Sequence, residues 1–261
     1  MRKALCFLLL ALFLNGVEND FKIKVGVSIP AQEYFLKKIG GDFVEVITII
    51  PQSRNPRLYS PSIDQVKMIK NLSAYIAIGI PFEEKWMKRF VNANPSLRIL
   101  DLSPSDCKDK ICFSWLSISN AKEYAKKIAY ILRAIDIKNA KIYKENLESF
   151  LVELQELDKE IRTKLKSSQG KKQFGSFQDT WNEYAKDFSL RVLDISNTQD
   201  LNIFKASHLP FVFITPFNLK KQVLHILSRP KVKLIEINPF SIEWKKNLLK
   251  ATSYIAGEKN E

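Results

Sequence analysis

The chain of 261 residues carries 41 lysine and arginine residues against 28 aspartate and glutamate residues, a formal net charge of +13. The basic residues are spread along the chain without a compact basic arm, which favours a solvated surface over nucleic-acid binding. Beyond the N-terminus, no segment approaches the ~20 apolar residues of a transmembrane helix, and the length suits one large domain or two lobes.

The N-terminus begins with Arg2 and Lys3, followed by an apolar run from Ala4 to Leu14. This run is too short to cross a bilayer and has the length of a signal-peptide hydrophobic region. We predict a signal peptide over residues 1–17 and export to the periplasm, with an uncleaved membrane anchor as the alternative. Cys6 lies inside the run without lipobox spacing, so lipid anchoring is not predicted. The mature chain is expected to be soluble, with a net charge of +11.

Strand and helix patterns alternate along the first hundred residues. Short apolar runs predict strands, and the helical patterns between them predict the crossovers of a parallel sheet. The predicted helices are "PAQEYFLKKIG", "SIDQVKMIKNL" and "PFEEKWMKRFVNAN". The predicted strands are Phe21 to Ser28, Val44 to Ile50, Ala74 to Gly79 and Leu97 to Leu102.

From Ile118 to about Ser168 the sequence shows only helical periodicity. Apolar residues recur at steps of three and four along "YKENLESFLVELQELDKEIRTKLKSS", which predicts one apolar stripe on a long helix. A coiled coil is one interpretation, but α/β patterns on both sides favour a spine between two lobes. The predicted organisation is an N-terminal lobe over 18–137, a connecting helix over 138–168 and a C-terminal lobe over 169–261.

The alternation resumes in the last third of the chain. Its predicted helices are "DTWNEYAKDF", "NLKKQVLHILSR" and the closing "IEWKKNLLKATSYIA". The predicted fold class is therefore α/β, with two lobes of about four parallel strands each, flanking helices and a long spine helix. Ligands of such sheets bind beyond the carboxyl ends of the strands, so we expect a cleft there. The predicted strands are Gln173 to Phe177, Leu190 to Ile195, Phe211 to Thr215 and Lys233 to Asn238.

Cys107 and Cys112 bracket the short segment "KDKI". In an oxidising compartment this pair is predicted to close a small loop disulfide, although short loops often fail to meet disulfide geometry, which leaves free thiols as the alternative. A metal-binding pair is disfavoured because no histidine lies nearby.

Four segments carry a family resemblance when they are taken together and in order. They are Gly41 to Phe90, Trp115 to Asp136, the helix from Tyr143, and Phe177 to Leu190. These segments resemble the periplasmic solute-binding receptors of zinc and manganese ABC importers, often called cluster A-I. The resemblance implies a transport receptor with no cofactor, whose partners are a permease and an ATPase from other chains. The mature chain would then meet the membrane only through those partners.

The resemblance also implies where a metal would be held, and the residues found there are poor ligands. Arg57 offers five donors, no acceptor and a permanent positive charge. Its repulsion of a nearby dication would cost several kcal/mol even at an effective dielectric of about 20. We expect no free divalent metal at this site. The four positions fall on Arg57, Phe113, Gln178 and Asn238.

The two histidines offer no replacement. His208 precedes a predicted buried strand, and His225 has apolar neighbours on its helix, so both are predicted to pack or to lie on the surface. An enzyme is not predicted either, because the chain has no phosphate-binding loop, no nucleophile elbow and no H-E-x-x-H motif.

One hypothesis keeps the transport role and changes the ligand. Arg57 would clamp a small anion, an organic acid or a metal already chelated by one, with neutral side chains as hydrogen-bond partners and aromatic side chains as apolar walls. In the opposing hypothesis Arg57 pairs with Asp179 or Glu236 and binds no ligand. The candidate cleft residues are Arg57, Tyr59, Phe113, Gln178, Asp179, Trp181, Thr215 and Asn238.

Two other hypotheses use the same fold. The chain could act as a non-transporting envelope interaction or assembly module, which needs only its surface. Alternatively it could bind a metal through new oxygen ligands from Asp179, Glu183 or Glu236, and such a set would suit a harder ion than zinc.

Overall fold

The computed structural model describes residues 22–105, 111–167, 172–228 and 232–258. These residues form two four-stranded parallel sheets with the same strand order, β2-β1-β3-β4 and β6-β5-β7-β8. The α/β class with two similar parallel sheets is thereby confirmed. The strands are β1 (Ile23–Val27), β2 (Val44–Thr48), β3 (Ala74–Ala77), β4 (Arg98–Asp101), β5 (Gln173–Ser176), β6 (Arg191–Asp194), β7 (Phe211–Ile214) and β8 (Lys233–Glu236).

The helices cover both faces of the sheets and join them. One of them, over Thr198–Ala206, is not predicted from the sequence, although the Asn197 side chain caps it by accepting from the backbone of Gln199 and Asp200. The helices are α1 (Pro30–Gly40), α2 (Ile63–Met68), α3 (Pro81–Ala93), α4 (Ile118–Ile135), α5 (Ala140–Ser167), α6 (Asn182–Asp187), α7 (Thr198–Ala206), α8 (Lys220–Leu227) and α9 (Trp244–Ala256).

The central strand of each sheet carries a glycine where a ring from a neighbouring element packs against the backbone. A Cβ at Gly26 would lie 2.7 Å from the ring of Tyr75, and a Cβ at Gly175 would lie 2.5 Å from the ring of Phe204. Both distances are too short for a real Cβ atom, so any larger residue at Gly26 or Gly175 would displace the ring packed against it. The two lobes therefore use the same device at the centre of their sheets.

Helix α5 joins the two lobes and has 28 residues, which corresponds to about 42 Å at 1.5 Å per residue. Its predicted apolar stripe is buried at Phe150, Leu154 and Leu157. Its Glu153 carboxylate accepts from Lys38 of α1 at 2.6 Å and from Lys245 of α9 at 3.1 Å. The helix thus connects elements of both lobes. Within the described residues, no helix has the length and apolarity to cross a membrane.

Buried aromatic residues hold the two lobes together. The Trp244 ring lies 5.0 Å from the ring of Phe35 on α1, measured between centroids. The Trp244 indole nitrogen donates to the carbonyl of Trp115 at 2.6 Å, and the Trp115 indole nitrogen donates to the carbonyl of Pro239 at 2.8 Å. Because all these rings are buried, the core continues from one sheet to the other. We call Phe35, Trp115 and Trp244 the lobe junction.

Replacing Trp244 by alanine should remove the central ring of the lobe junction and leave the Trp115 carbonyl without its donor. We expect the free energy of unfolding to fall by about 3–5 kcal/mol, as for other large-to-small changes in cores. Urea unfolding followed by circular dichroism measures this loss. The control is Trp86→Ala, because Trp86 is only partly buried. Equal losses in the two variants would contradict a special role for the junction.

Candidate functional site

Loops at the carboxyl ends of strands from both sheets enclose a cavity of about 160 Å³. The N-terminal lobe contributes the loops after β2 and β4, and the C-terminal lobe contributes the loops after β5, β7 and β8. Four of the eight candidate residues line this cavity. They are Arg57, Phe113, Gln178 and Thr215. We call this space the inter-lobe cavity.

The other four candidates do not line the inter-lobe cavity. Trp181 was predicted as an apolar wall of the cleft, but it is a core residue. It is 1% exposed, and its ring packs against those of Tyr184 and Phe213 because the chain turns into the core at the start of α6. The Tyr59 hydroxyl donates to Gln65 at 2.7 Å and lines a separate cavity of about 580 Å³.

Asp179 and Asn238 lie next to the inter-lobe cavity without lining it. The Asp179 carbonyl accepts from the backbone of Asn182 at 3.2 Å, so this residue helps to begin α6. The Asn238 side-chain oxygen accepts from the backbone of Phe240 at 3.0 Å, and its nitrogen lies 3.4 Å from the carbonyl of Gln52 in the opposite lobe. Asn238 therefore shapes the loop that carries Phe240 instead of facing the cavity.

Five further residues line the inter-lobe cavity and were not singled out from the sequence. The rule that ligand sites form beyond strand ends identified their loops, but it does not say which side chains of a loop point inwards. That choice depends on turn geometry. The five residues are Asn55, Thr180, Phe217, Asn218 and Phe240.

Two asparagine side chains of the cavity have their oxygen atoms committed to internal donors. Asn55 accepts from the backbone N–H of Arg57 at 3.0 Å, and Asn218 accepts from the backbone N–H of Thr215 at 2.7 Å. A backbone N–H can only donate, so the accepting atom of each amide must be its oxygen. The amide nitrogen of each side chain is therefore the group left for a ligand.

Thr180 and Arg57 add two more polar groups to the lining. Thr180 is 2% exposed and contributes a hydroxyl, which can both donate and accept. Arg57 is exposed, and none of the described carboxylates forms an ion pair with it. The guanidinium is therefore available to a ligand in the cavity.

Three phenylalanines supply the apolar part of the lining. The ring centroids of Phe113 and Phe240 are 5.6 Å apart, and those of Phe217 and Phe240 are 6.0 Å apart. Phe113 and Gln178 both have positive φ, 46° and 66°, a conformation that non-glycine residues rarely adopt. The backbone of Gln178 is held there by donating to the Asp194 carboxylate at 2.8 Å. Such positions cluster at ligand sites.

The carboxylates proposed as new metal ligands are engaged elsewhere. Glu183 contacts Lys186, and Glu236 lies 3.0 Å from the Lys220 ammonium, so Glu236 does not pair with Arg57. Across the described ranges, no group of three or more histidine, cysteine, aspartate or glutamate side chains is arranged to hold a metal ion. Oxygen ligands from these residues therefore do not converge on the cavity.

A second polar cluster lies at the carboxyl ends of β1 and β3, outside the inter-lobe cavity. The buried Glu83 carboxylate accepts from the backbone N–H groups of Ile78 at 3.0 Å and Gly79 at 2.7 Å, and it contacts the Ser28 hydroxyl. Ser28 in turn lies 2.7 Å from the Tyr75 hydroxyl. Burial raises the pKa of Glu83 to about 7, against the lowering effect of these hydrogen bonds.

The raised pKa of Glu83 predicts a pH dependence of stability. Between its unfolded pKa near 4.5 and its folded pKa near 7, the folded chain binds more proton than the unfolded chain. The free energy of unfolding should therefore fall by roughly 3 kcal/mol as the pH rises through this window and stay level above it. Urea unfolding at several pH values measures this slope in the wild type and in Glu83→Gln, which should lack it. If Glu83→Gln keeps the wild-type slope, the pH dependence of stability comes from other titratable groups.

Cys112 is disulfide-bonded. Its predicted partner, Cys107, lies outside the described residues, so the Cys107–Cys112 pairing stays a prediction.

Comparison with known proteins places this arrangement in a family. Residues 25–210 match the family model described as "ZnuA: Zinc-uptake complex component A periplasmic". The chain belongs to this ZnuA family. Two solved structures titled as ZnuA, one of them a 138–173 deletion mutant with zinc bound, are each 28% identical to it with TM-scores of 0.82. The zinc-bound structure matches over 92% of this chain and 99% of its own.

Curated relatives of this ZnuA-family chain are named as substrate-binding lipoproteins of ABC transporters. The iron transporter lipoprotein MtsA of Streptococcus pyogenes serotype M1 is 29% identical over 176 residues, which is 60% of this chain and 57% of MtsA. The manganese transporter lipoprotein PsaA of Streptococcus pneumoniae is 28% identical over 164 residues, covering 57% of this chain and 53% of PsaA. The chain thus matches somewhat more than half the length of these relatives.

A third structural relative supports the fold alone. The Mn-bound periplasmic metal binding protein of candidatus liberibacter asiaticus is 20% identical, with a TM-score of 0.77 over 90% of this chain and 99% of its own. The family and these relatives are binding receptors, so the prediction that the chain is not an enzyme is confirmed. The predicted resemblance to zinc and manganese receptors is confirmed as well.

Proposed function

We propose that this chain is the extracytoplasmic substrate-binding subunit of an ABC importer whose inter-lobe cavity takes an anionic ligand instead of a free divalent cation. A small anion, an organic acid or a metal already chelated by one would meet this description. The permease and ATPase would come from other chains. Membership of the ZnuA family supports the transport role, and the polarity of the cavity supports the change of ligand.

The proposal includes export and the division of the chain. The signal peptide over residues 1–17 lies outside the described residues, and it would direct the chain to the periplasm. The proposed lobes are residues 18–137 and 169–261, with the spine over 138–168 between them. Two similar sheets joined by α5 support this division.

The observation that carries the proposal is the surplus of hydrogen-bond donors around the inter-lobe cavity. Among the described residues that line it, Arg57 is the one that carries a charge, and the free ends of Asn55 and Asn218 are donors as well. A zinc or manganese ion needs lone pairs from imidazole, thiolate or carboxylate groups, and no such side chain belongs to the described lining. An anion needs donors and a positive charge, which this lining supplies.

No specific observation favours the other hypotheses. The non-transporting envelope module shares every feature of the fold, but it gives no reason for unpartnered donors around a cavity. Metal binding through new oxygen ligands would use Asp179, Glu183 or Glu236, but Glu183 and Glu236 each contact a lysine, and none of the three is among the described lining residues.

The change of ligand predicts that the chain does not retain transition metals. After equilibrium dialysis against zinc or manganese, elemental analysis should find no stoichiometric metal on the protein. The reasons are repulsion by the Arg57 guanidinium and the lack of imidazole, thiolate and carboxylate groups among the described lining residues. A zinc-binding ZnuA relative, dialysed in parallel, is the positive control. Retention with sub-micromolar affinity would refute the proposal.

Arg57 should be required for binding of any anion that stabilises the chain. In a thermal-shift screen of small anions, Arg57→Ala should weaken the binding of each hit at least about tenfold, since a hydrogen-bonded charge pair contributes about 1.5–3 kcal/mol. Arg54→Ala is the matched control, because Arg54 is an exposed arginine of the same loop that lines the other cavity. Equal effects of the two substitutions would show that only the overall charge matters.

A further inference from the structure

We infer that the inter-lobe cavity binds a small organic monocarboxylate, with one carboxylate group and a short apolar tail. This inference rests on the proposed function and narrows it. It selects one class from the anions, organic acids and chelated metals that the donor-rich lining admits. Four properties of the cavity support this choice of ligand: its charge, its hydrogen-bond donors, its apolar lining and its volume.

The charge of the lining favours a single negative charge on the ligand. In the described part of the lining, Arg57 is the one charged residue, and the other polar residues are amides and hydroxyls. A monoanion would neutralise the guanidinium. A dianion such as sulfate would leave one charge without a partner in a partly enclosed space, and an uncompensated charge is costly to remove from water.

The hydrogen-bond donors suit a carboxylate that bridges the two lobes. The planar guanidinium of Arg57 can donate two parallel bonds to the two oxygens of a carboxylate. The amide nitrogen of Asn218 and the hydroxyl of Thr180 come from the opposite lobe, and both residues line the cavity. A carboxylate has about four lone-pair sites, so it can accept from both lobes at once.

The three phenylalanines give a reason for an apolar tail. Phe113, Phe217 and Phe240 form a continuous set of rings whose neighbouring centroids are 5.6 and 6.0 Å apart. The face of an aromatic ring is negative, so it favours an alkyl group over the oxygen atoms of an inorganic oxyanion. Phosphate or sulfate would leave these rings without an apolar contact.

The volume favours a small ligand. At about 160 Å³ the cavity lies well below the ~300–1,000 Å³ of a drug-sized site. Citrate and a metal bound by citrate are larger, so the volume disfavours the chelated-metal version of the proposed function.

The experiment is isothermal titration calorimetry of the full chain with acetate, propanoate and lactate, compared with inorganic phosphate, sulfate, citrate and zinc citrate. We expect saturable binding of at least one monocarboxylate and none of the other four at the same concentrations. Thr180→Val should weaken that binding about two- to tenfold, because it removes one hydroxyl while keeping the shape of the side chain. Thr163→Val, an exposed change on α5, should leave it unaltered.

A second variant tests the apolar tail independently. Phe217→Ala should weaken propanoate binding more than acetate binding, since acetate has less tail to contact the ring. Both variants should first be shown to keep the wild-type unfolding temperature without ligand, which separates lost contacts from lost folding.

The outcomes distinguish this inference from the proposed function. Tighter binding of phosphate, sulfate or citrate than of every monocarboxylate, dependent on Arg57, would overturn the inference and leave an anion receptor. Binding of zinc citrate alone would also overturn the inference, and it would identify a chelated metal as the ligand. No binding of any monocarboxylate would also overturn it. Retention of free zinc together with no anion binding would overturn both.

Discussion

The lobe junction is the contact on which the rest of the structure depends. The indole nitrogens of Trp115 and Trp244 donate to carbonyl groups of Pro239 and Trp115, and the Trp244 ring packs on Phe35 of α1. Two independent sheets could face each other in many ways, since interfaces between lobes are often mobile. Buried rings with satisfied polar tips select one arrangement. The inter-lobe cavity exists because that arrangement brings the loops after β2, β4, β5, β7 and β8 together.

In the proposed function, the cavity would keep the place of the ligand site in a ZnuA-like receptor and reverse its chemistry. A metal site is a set of converging lone pairs, whereas the described lining consists of a guanidinium, amide groups, hydroxyls and phenylalanine rings. Such a reversal would need few changes, because the loops and the junction would hold whichever side chains stand there. A fold can be kept while its ligand changes, because the fold alone does not determine function.

The sequence predicted the fold well because short-range patterns decide it. Apolar runs placed every strand of both sheets, although several predicted strands ran too far: Ile49 and Ile50 are buried and hydrogen-bonded to β1 beyond the end of β2. Helix α7 was missed because its residues are mostly polar and its strongest signal is the single cap at Asn197. Of the candidate site residues, Arg57, Phe113, Gln178 and Thr215 line the inter-lobe cavity, whereas Trp181 is buried in the core, since a residue after a strand can turn inwards.

What the sequence determined by itself is the character of the groups: a guanidinium is a donor and a cation in any fold, and Phe113 cannot bind a metal wherever it lies. What only the tertiary structure decided is which atoms remain free. Asn55 and Asn218 can each donate or accept, and they became donors because backbone N–H groups of Arg57 and Thr215 occupy their oxygens. The hydroxyl of Thr180 faces a cavity only because the loops of two lobes meet there. Residue type sets what a side chain can do, and the partners brought by folding set what it has left to offer a ligand.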